Sequence, residues 1–299
     1  MIDWRRMTGR RFIEPFFEQT VHKHQQETPS ANRTTSAETL LSAAPPERQP
    51  TGFIFHASRS GSTLVAQMLA ASPRNVVLSE PAVVNQVLRP RPPDAISVED
   101  HVRLVRAIIG ALSRSADPLT QNCFIKFSSP AISKMALIRR ALPRIPWVFL
   151  YREPLEIVGA QLRLPGERLP PGIVDGGLLD GDPARLAAMP PSEFWSRVLA
   201  ARLCDALRFH EPGMSSLMNY AELPDAALAP MLRFFAVSCS PDEIAMMREA
   251  ALWDAKMPCR RFTSDSDEKR RAVPIGAHSL VEWLAMPHYR RLEELRGAQ

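Results

Sequence analysis

Short apolar runs alternate with helical patterns through the middle of this chain, and this alternation restricts the fold more than any other feature. Four runs, at 52–56, 76–78, 123–127 and 147–151, are almost continuously apolar, as expected of strands that are buried on both faces. Helical periodicity or a helix-starting proline follows each run along the chain. The pattern predicts an α/β fold of three layers, in which helices cover both faces of a central, mostly parallel sheet of four to five strands.

The same patterns divide the chain into an N-terminal extension and one α/β domain. Residues 1–50 contain an apolar helical face over 10–27, which predicts a helical extension. Residues 51–299 form the predicted domain, and the Pro/Gly-rich segment 164–192 within it is typical of a lid or a substrate loop. The further predicted elements are a short helix at 34–41, helices at 62–71, 98–116, 130–142, 193–210, 224–236, 241–253 and 280–296, a strand at 217–220 and a basic loop at 254–279.

Charge and hydropathy narrow the classes of function. The chain carries 37 Lys and Arg against 32 Asp and Glu, and a net charge of +5 over 299 residues is too weak for a nucleic-acid-binding stripe. No run approaches the ~18 apolar residues of a membrane span, and the N-terminus lacks the pattern of a signal peptide. The four cysteines share no metal-ligand spacing. We therefore expect a cytoplasmic protein with reduced cysteines, no nucleic-acid partner and no membrane span.

The octapeptide His56-Ala-Ser-Arg-Ser-Gly-Ser-Thr63, between the first predicted strand and its helix, has the composition of an anion-binding loop. A strand that turns tightly into a helix presents unpaired backbone N–H groups and the positive end of the helix dipole. Gly61 permits close approach of the backbone to a phosphate, and Ser62 and Thr63 add hydroxyl donors. Arg59 adds a planar cation that suits anionic oxygens, so the segment predicts a site for a phosphate-containing ligand.

The loop differs from the nucleoside-triphosphate pattern G-x-x-x-x-G-K-[ST]. Gly61 and Thr63 fit that pattern, but His56 replaces its first glycine and Ser62 replaces its lysine. The cation has moved to Arg59, two positions before the glycine. We therefore expect a fold like that of P-loop nucleotide-binding proteins, with a donor that needs neither the lysine nor a metal ion in the usual place.

Two segments resemble sulfotransferases that use 3′-phosphoadenosine 5′-phosphosulfate (PAPS). Arg59-Ser-Gly-Ser-Thr-Leu64 resembles their loop for the 5′-phosphosulfate, and Val148-Phe-Leu-Tyr-Arg-Glu-Pro154 resembles their strand and turn for the 3′-phosphate. The spacing is closest to the tyrosylprotein and bacterial branches. The resemblance implies PAPS as donor, 3′-phosphoadenosine 5′-phosphate (PAP) as product, a hydroxyl acceptor on a small molecule, glycan or peptide, and no required metal. It implies donor contacts from Arg59, Ser60, Gly61, Ser62, Thr63, Leu64 and Arg152.

One position departs from the family pattern. The family usually has a serine eight residues after the arginine that binds the 3′-phosphate, whereas this chain has Ala160 there. Residues 263–271 resemble a late basic element of the family, which adds four candidate donor ligands: Thr263, Ser264, Lys269 and Arg270. Lys269, Arg270 and the neighbouring Arg271 are candidates to replace the missing serine.

Glu80, Lys126 and Arg59 are the candidate catalytic residues. Glu80 follows the second predicted strand and Lys126 ends the third, and the carboxyl ends of parallel strands meet at one crevice. Glu80 is the candidate general base for the acceptor hydroxyl, and its pKa must rise from about 4.3 to make it efficient. Lys126 is one of only five lysines and lies in an apolar run, so we expect it to stabilise charge on the leaving oxygen. The tyrosylprotein branch has a similarly spaced glutamate as its base, which favours in-line sulfuryl transfer through Glu80.

Two other functions stay open on the sequence. The first is an ATP-using P-loop nucleotide-binding protein or kinase, against which the missing lysine of the loop counts. The second is a catalytically silent relative of the sulfotransferases that binds a partner, which the loss of a donor at Ala160 favours. In the N-terminal extension, Phe12, Phe16 and Phe17 predict core packing rather than a substrate contact.

Overall fold

The central sheet has five strands, and all of its neighbouring strands run parallel. The structure is a computed structural model that describes residues 1–7, 9–28, 33–42, 48–89, 96–115, 117–163, 179, 182–257, 259–263 and 265–299. The strands are β1 (Ile2–Trp4), β2 (Arg33–Thr35), β3 (Gly52–His56), β4 (Asn75–Ser79), β5 (Asn122–Lys126), β6 (Trp147–Tyr151) and β7 (Ser215–Asn219). β1 and β2 pair antiparallel with one another, and the parallel sheet has the order β4-β5-β3-β6-β7.

Helices connect the strands of the sheet. The α-helices are α1 (Phe17–Glu27), α2 (Ala37–Ser42), α3 (Ser62–Ala71), α4 (Ala82–Val87), α5 (Val98–Leu112), α6 (Met135–Ala141), α7 (Pro154–Arg163), α8 (Pro183–Ala188), α9 (Pro191–Phe209), α10 (Ala229–Phe234), α11 (Pro241–Ala250), α12 (Ser266–Arg271), α13 (Ile275–Leu284) and α14 (Met286–Gly297). Short 3-10 helices cover Ser129–Lys134, Tyr220–Glu222 and Asp225–Ala227. None of the helices that the structure describes is long and apolar enough to cross a membrane.

The side chains of each strand divide between two cores, one on either face of the sheet. In β3, Phe53 and Phe55 belong to the core formed with α5, α6, α7, α9, α13 and α14, whereas Ile54 belongs to the core formed with α3, α10 and α11. The division follows from the pleat, which turns successive side chains to opposite faces. Since both faces are covered, the strands can be apolar throughout, and the predicted three-layer α/β fold is confirmed.

The order of the strands creates a crevice at the carboxyl edge of the sheet. From β3 the chain builds β4 and β5 on one side and then crosses to β6 and β7 on the other. Ligands of open parallel sheets bind at such a switch point, outside the carboxyl ends of the strands. Arg59, Glu80 and Arg152 follow β3, β4 and β6, and Lys126 is the last residue of β5.

Polar contacts hold the N-terminal segment on the α/β domain. Arg11 Nη2 donates to the carbonyl oxygen of Ala70 at 2.6 Å, near the C-terminal end of α3. Glu18 of α1 accepts a hydrogen bond from the backbone N–H of Ala82 at 2.8 Å. These bonds satisfy backbone groups at helix ends of the sheet domain, and they thereby fix the N-terminal segment against that domain.

The aromatic residues of this segment do not share one role. The rings of Phe12 and Phe17 stack with centroids 5.3 Å apart and pack against the core on the α5 face, as predicted. Phe16 lines a cavity instead, so the predicted core role is wrong for that residue. The short helix predicted at 34–41 begins at Ala37, because the residues before it form β2 opposite β1.

The C-terminal region is more helical than the sequence predicts. The predicted loop at 254–279 contains α12, whose first turn is acidic and whose last turn is basic, as the helix dipole favours. The charges of the predicted loop thus stabilise a helix. The predicted closing helix at 280–296 is two helices, because α13 ends at Leu284 and Pro287 lies in the first turn of α14.

Most of the predicted lid at 164–192 lies outside the described residues. The structure describes Leu179 and residues 182–192 of it, and these include α8. Asp182 caps α8 by accepting a hydrogen bond from the backbone N–H of Ala184 at 3.0 Å.

Candidate active site

A cavity of about 520 Å³ lies at the carboxyl edge of the sheet. Lys126 is fully buried directly behind its wall, in contact with Glu80. Thr263 and Arg270 are not among the described residues that line it, and Ser264 lies outside the described residues. The predicted site residues that line the cavity are Arg59, Ser60, Gly61, Ser62, Thr63, Leu64, Glu80, Arg152 and Lys269.

The loop between β3 and α3 requires a glycine at its end. Gly61 has a φ of 83°, in the left-handed region, and immediately precedes the first residue of α3. A Cβ atom at this position would lie 2.5 Å from Leu223 Cδ1 and 2.8 Å from Tyr220 Cδ2. Backbone conformation and close packing therefore both select glycine, and together they bring the N-terminus of α3 to the cavity.

Side-chain hydrogen bonds fasten the strained part of this loop. Ser58 and Arg59 have left-handed φ values of 77° and 51°, which non-glycine residues rarely adopt. Gln161 Nε2 donates to Ser58 Oγ at 2.9 Å, and Ser60 Oγ donates to the carbonyl oxygen of Leu150 at 2.9 Å. The hydroxyl of Ser60 thus holds the loop against β6, which leaves its backbone N–H as the group suited to an anion.

Glu80 and Lys126 form an ion pair at one end of the cavity. Lys126 Nζ contacts Glu80 Oε1, and the backbone N–H of Glu80 donates to the carbonyl oxygen of Lys126 at 2.7 Å. The side chain of Lys126 is 0% exposed and that of Glu80 is 25% exposed, so the carboxylate faces the cavity and the ammonium lies behind it. Glu80 has a φ of 56°, a strained conformation of the kind that clusters at functional sites.

The charges around Glu80 keep its carboxyl group ionised. Burial alone would raise the pKa of Glu80, but the Lys126 ammonium and contacts with His56 outweigh burial and hold this pKa well below its usual 4.5. The direction is opposite to the rise that an efficient general base needs. The strength of Glu80 as a base therefore depends on how closely the Lys126 ammonium stays paired with it.

Arg152 is held rigidly at the other end of the cavity. It is 3% exposed, its Nε contacts Glu156, and its Nη2 donates to Ser266 Oγ at 2.8 Å. The guanidinium carbon lies 3.8 Å from the centroid of the Tyr220 ring, in a cation–π contact. A planar cation fixed on several sides in this way is suited to binding a phosphate.

The three basic residues of α12 have different surroundings. Lys269 lines the cavity, and burial lowers its pKa. Arg270 instead pairs with Glu156 Oε1 at 2.6 Å, and Arg271 Nε donates to the carbonyl oxygen of Asp267 at 3.2 Å. Among these three candidates, Lys269 is the one whose position suits a donor contact.

A hydroxyl group stands beside Arg152 although the expected serine is absent. Ala160 lines the cavity, and Ser266 reaches Arg152 from 114 residues away along the chain. The contact depends on Gly159, because a Cβ atom there would lie 1.8 Å from the carbonyl oxygen of Lys269. This approach of α7 to α12 leaves no local signal in the sequence, and sequence reasoning missed Ser266.

Three further residues of the cavity wall were also missed. His56, at the end of β3, is 6% exposed. The Phe16 ring centroid lies 5.3 Å from Lys126 Nζ and 5.9 Å from Lys256 Nζ. Lys256 has no ion-pair partner among the residues that the structure describes. The scarcity of lysine, which singled out Lys126, was a usable signal for Lys256, whereas Phe16 had only its helical spacing.

The wall of this cavity offers cations, hydroxyl groups and backbone N–H groups. No group of three or more His, Cys, Asp or Glu side chains that could hold a metal ion occurs within the described part of the chain. Such a wall is suited to a strongly anionic organic ligand.

Solved structures of similar fold are sulfotransferases. The sulfotransferase domain from the curacin biosynthetic pathway is 16% identical, with a TM-score of 0.51 over 80% of this chain and 97% of that one. The sulfotransferase domain from the Synechococcus PCC 7002 olefin synthase is 18% identical, with a TM-score of 0.47 over 84% and 97%. A sulfotransferase from Alicyclobacillus acidocaldarius is 14% identical, with a TM-score of 0.49 over 84% and 96%. The first of these structures, with a TM-score above 0.5, shows that the chain has the fold of the sulfotransferases.

No protein-family model and no curated protein sequence matches the chain.

Proposed function

We propose that this protein is a PAPS-dependent sulfotransferase that acts on a hydroxyl acceptor, with Glu80 as general base. One observation carries the proposal. Arg59 at the N-terminus of α3, the Glu80–Lys126 pair and the buried Arg152 belong to one cavity of about 520 Å³, on a fold that sulfotransferases share. This volume falls within the range of about 300–1,000 Å³ that is typical of small-molecule sites.

The two ends of the cavity suit the two anionic groups of the donor. Arg152 and Lys269 would hold the 3′-phosphate, and the hydroxyl of Ser266 would fix the guanidinium of Arg152 in place. Arg59 and the N-terminus of α3 would hold the 5′-phosphosulfate near the Glu80–Lys126 pair. The donor then lies along the carboxyl edge of the sheet, with its sulfuryl group at the end where the base is.

Transfer at this site requires one proton movement and one exchange of bonds at sulfur. Glu80 accepts the proton of the acceptor hydroxyl as the acceptor oxygen bonds to sulfur. The bond from sulfur to the bridging oxygen breaks, and its electron pair leaves with the 5′-phosphate of PAP. The ammonium of Lys126 turns from Glu80 to that oxygen and stabilises its negative charge. Because Glu80 then loses the contact that lowers its pKa, the pKa of Glu80 rises as it accepts the proton.

Binding calorimetry distinguishes this function from its alternatives. We expect PAP to bind the wild-type protein tightly without metal, and ATP with Mg²⁺ to bind weakly, because the loop has no lysine beside Gly61. PAP release from PAPS is then measured with phenols, sugars and serine or tyrosine peptides as acceptors. Binding of ATP alone would contradict the proposal, and PAP binding without any turnover would support a silent binding protein.

Substituting Lys126 by methionine should make the stability of the protein depend on pH in a new way. Without the ammonium, burial dominates at Glu80 and raises its pKa above the usual 4.5. The folded state then binds a proton that the unfolded state releases, so the free energy of unfolding of the variant should fall as pH rises from 5 to 8. The loss of the same ammonium raises the pKa of His56 and acts in the same direction.

The wild-type protein should show no such fall between pH 5 and 8, because its Glu80 is ionised in both the folded and the unfolded state over that range. Its Glu80 has a lowered pKa, so the stabilisation is present above the unfolded-state value and is lost only as pH falls toward the folded-state value. Thermal unfolding of both proteins across this pH range measures the difference. Lys256→Met removes a charge from the same cavity without touching Glu80 and serves as the control; an equal pH dependence in both variants would show that the ion pair is not responsible.

A further inference from the structure

One buried imidazole contacts all three chain segments that carry the proposed catalytic groups. His56 Nδ1 accepts a hydrogen bond from the backbone N–H of Ser58 at 3.1 Å, next to Arg59. His56 Nε2 lies 3.0 Å from the carbonyl oxygen of Phe127, which follows Lys126. The same Nε2 lies 3.6 Å from Glu80 Oε1.

These contacts define the protonation of the ring. A backbone N–H can only donate, so Nδ1 carries no proton and Nε2–H donates to the carbonyl oxygen of Phe127. Burial lowers the pKa of His56 most; Glu80 opposes the change, and Lys126 and Arg202 add to it. The ring is therefore neutral at pH 7, and its two nitrogens have separate tasks.

We propose that His56 is a positioning residue that couples the donor loop to the general base. Its Nδ1 holds Ser58, and through it the strained backbone that presents Arg59, while its Nε2–H holds the carbonyl oxygen of Phe127, next to Lys126, and lies against the carboxylate of Glu80. This inference rests on the proposed function. His56 thus fixes the position of the loop that carries Arg59 relative to the Glu80–Lys126 pair.

Strain in the loop explains why Nδ1 matters for donor binding. Ser58 and Arg59 both have left-handed backbone, which a free loop would leave for a relaxed conformation. His56 holds Ser58 at its N–H, and Gln161 holds it at its hydroxyl. Without the imidazole acceptor, Arg59 has to be ordered when the donor binds, which weakens binding.

The two nitrogens can be tested separately because amide side chains imitate them one at a time. In His56→Asn the side-chain oxygen can take the place of Nδ1, but nothing reaches Glu80. In His56→Gln the side-chain nitrogen can take the place of Nε2–H, and the acceptor for Ser58 is lost. We expect His56→Asn to bind PAP like the wild-type protein and to turn over PAPS about tenfold more slowly, since the hydrogen bond to Phe127 and the contact with Glu80 are both lost.

His56→Gln should show the reverse pattern. Its dissociation constant for PAP should rise about tenfold, as expected for one lost hydrogen bond plus loop ordering, with turnover at saturating donor closer to the wild-type rate. Gln161→Leu should resemble His56→Gln, because it releases Ser58 and does not touch Glu80. PAP binding is measured by calorimetry, and turnover by PAP release from saturating PAPS with phenol, and with water alone, as acceptor.

The outcomes separate this inference from the proposed function. If the wild-type protein binds PAP and turns over PAPS while the two amide variants lose binding and turnover equally, His56 has only a structural role and the coupling is refuted. Thermal unfolding and His56→Phe, which keeps the ring volume without either nitrogen, show whether a defect is due to lost hydrogen bonds. If the wild-type protein does not bind PAP, the proposed function fails first.

Discussion

Glu80→Gln should bind PAP with nearly wild-type affinity and lose about a thousandfold in sulfuryl transfer, the scale of a missing general base. The glutamine carbonyl oxygen can still accept a hydrogen bond from Lys126 Nζ, so the buried ammonium keeps a partner. The substituted side chain cannot take the proton of the acceptor hydroxyl. Calorimetry with PAP and the rate of PAP release from PAPS measure the two quantities separately.

Asp254 provides a matched control for this prediction. It is a second carboxylate on the cavity wall, and its Oδ1 accepts hydrogen bonds from the backbone N–H groups of Lys256 at 2.9 Å and Met257 at 3.0 Å. These bonds commit it to shaping its own turn. We expect Asp254→Asn to change turnover by no more than a few-fold. A thousandfold loss in Asp254→Asn together with an active Glu80→Gln would exchange the roles of the two residues.

Arg152→Met should weaken PAP binding by about a hundredfold or more, because charge-assisted hydrogen bonds to a phosphate contribute about 1.5–3 kcal/mol each. The fold should tolerate the change, since Glu156 retains Arg270 at 2.6 Å as an ion-pair partner. Arg59→Met should cause a comparable loss from the other end of the cavity. Calorimetric titration with PAP measures both variants.

Adenosine 5′-phosphosulfate separates the two ends because it lacks the 3′-phosphate. We expect it to bind Arg152→Met and the wild-type protein equally, whereas Arg59→Met should bind it more weakly. Arg139→Met removes a surface arginine that pairs with Glu211 at 2.6 Å and controls for the change of net charge. A loss of adenosine 5′-phosphosulfate binding in Arg152→Met would show that Arg152 does not act at the 3′-phosphate.

Sequence reasoning predicted the parts of the molecule that depend on local patterns. β3 and β6 are apolar at nearly every position because helices cover both faces of the sheet, and this property is visible in the sequence. Sequence reasoning expected Glu80 and Lys126 to share one crevice because parallel strands bring their carboxyl ends together, but it did not predict their ion pair. The expected parallel direction of the strands thus sufficed to bring these two residues to one end of the cavity.

Contacts between distant segments could not be predicted in this way. Ser266 reaches Arg152 because α7 and α12 approach one another, and Phe16 enters the cavity from the N-terminal segment. His56 was considered only as a departure from a glycine pattern, although its two ring nitrogens contact separate chain segments. Such roles depend on tertiary packing, which neither spacing nor propensity encodes.

The close backbone contact between Gly159 and Lys269 affects the entropy of ligand binding. With the carbonyl oxygen of Lys269 close to where a Cβ atom would be, α7 and α12 are in backbone contact and cannot approach one another further. The walls around Arg152 are thus already in the arrangement that a phosphate would meet. Ordering costs on binding should therefore fall mainly at the opposite end, and a ligand anchored first at Arg152 would dock to a preorganised surface.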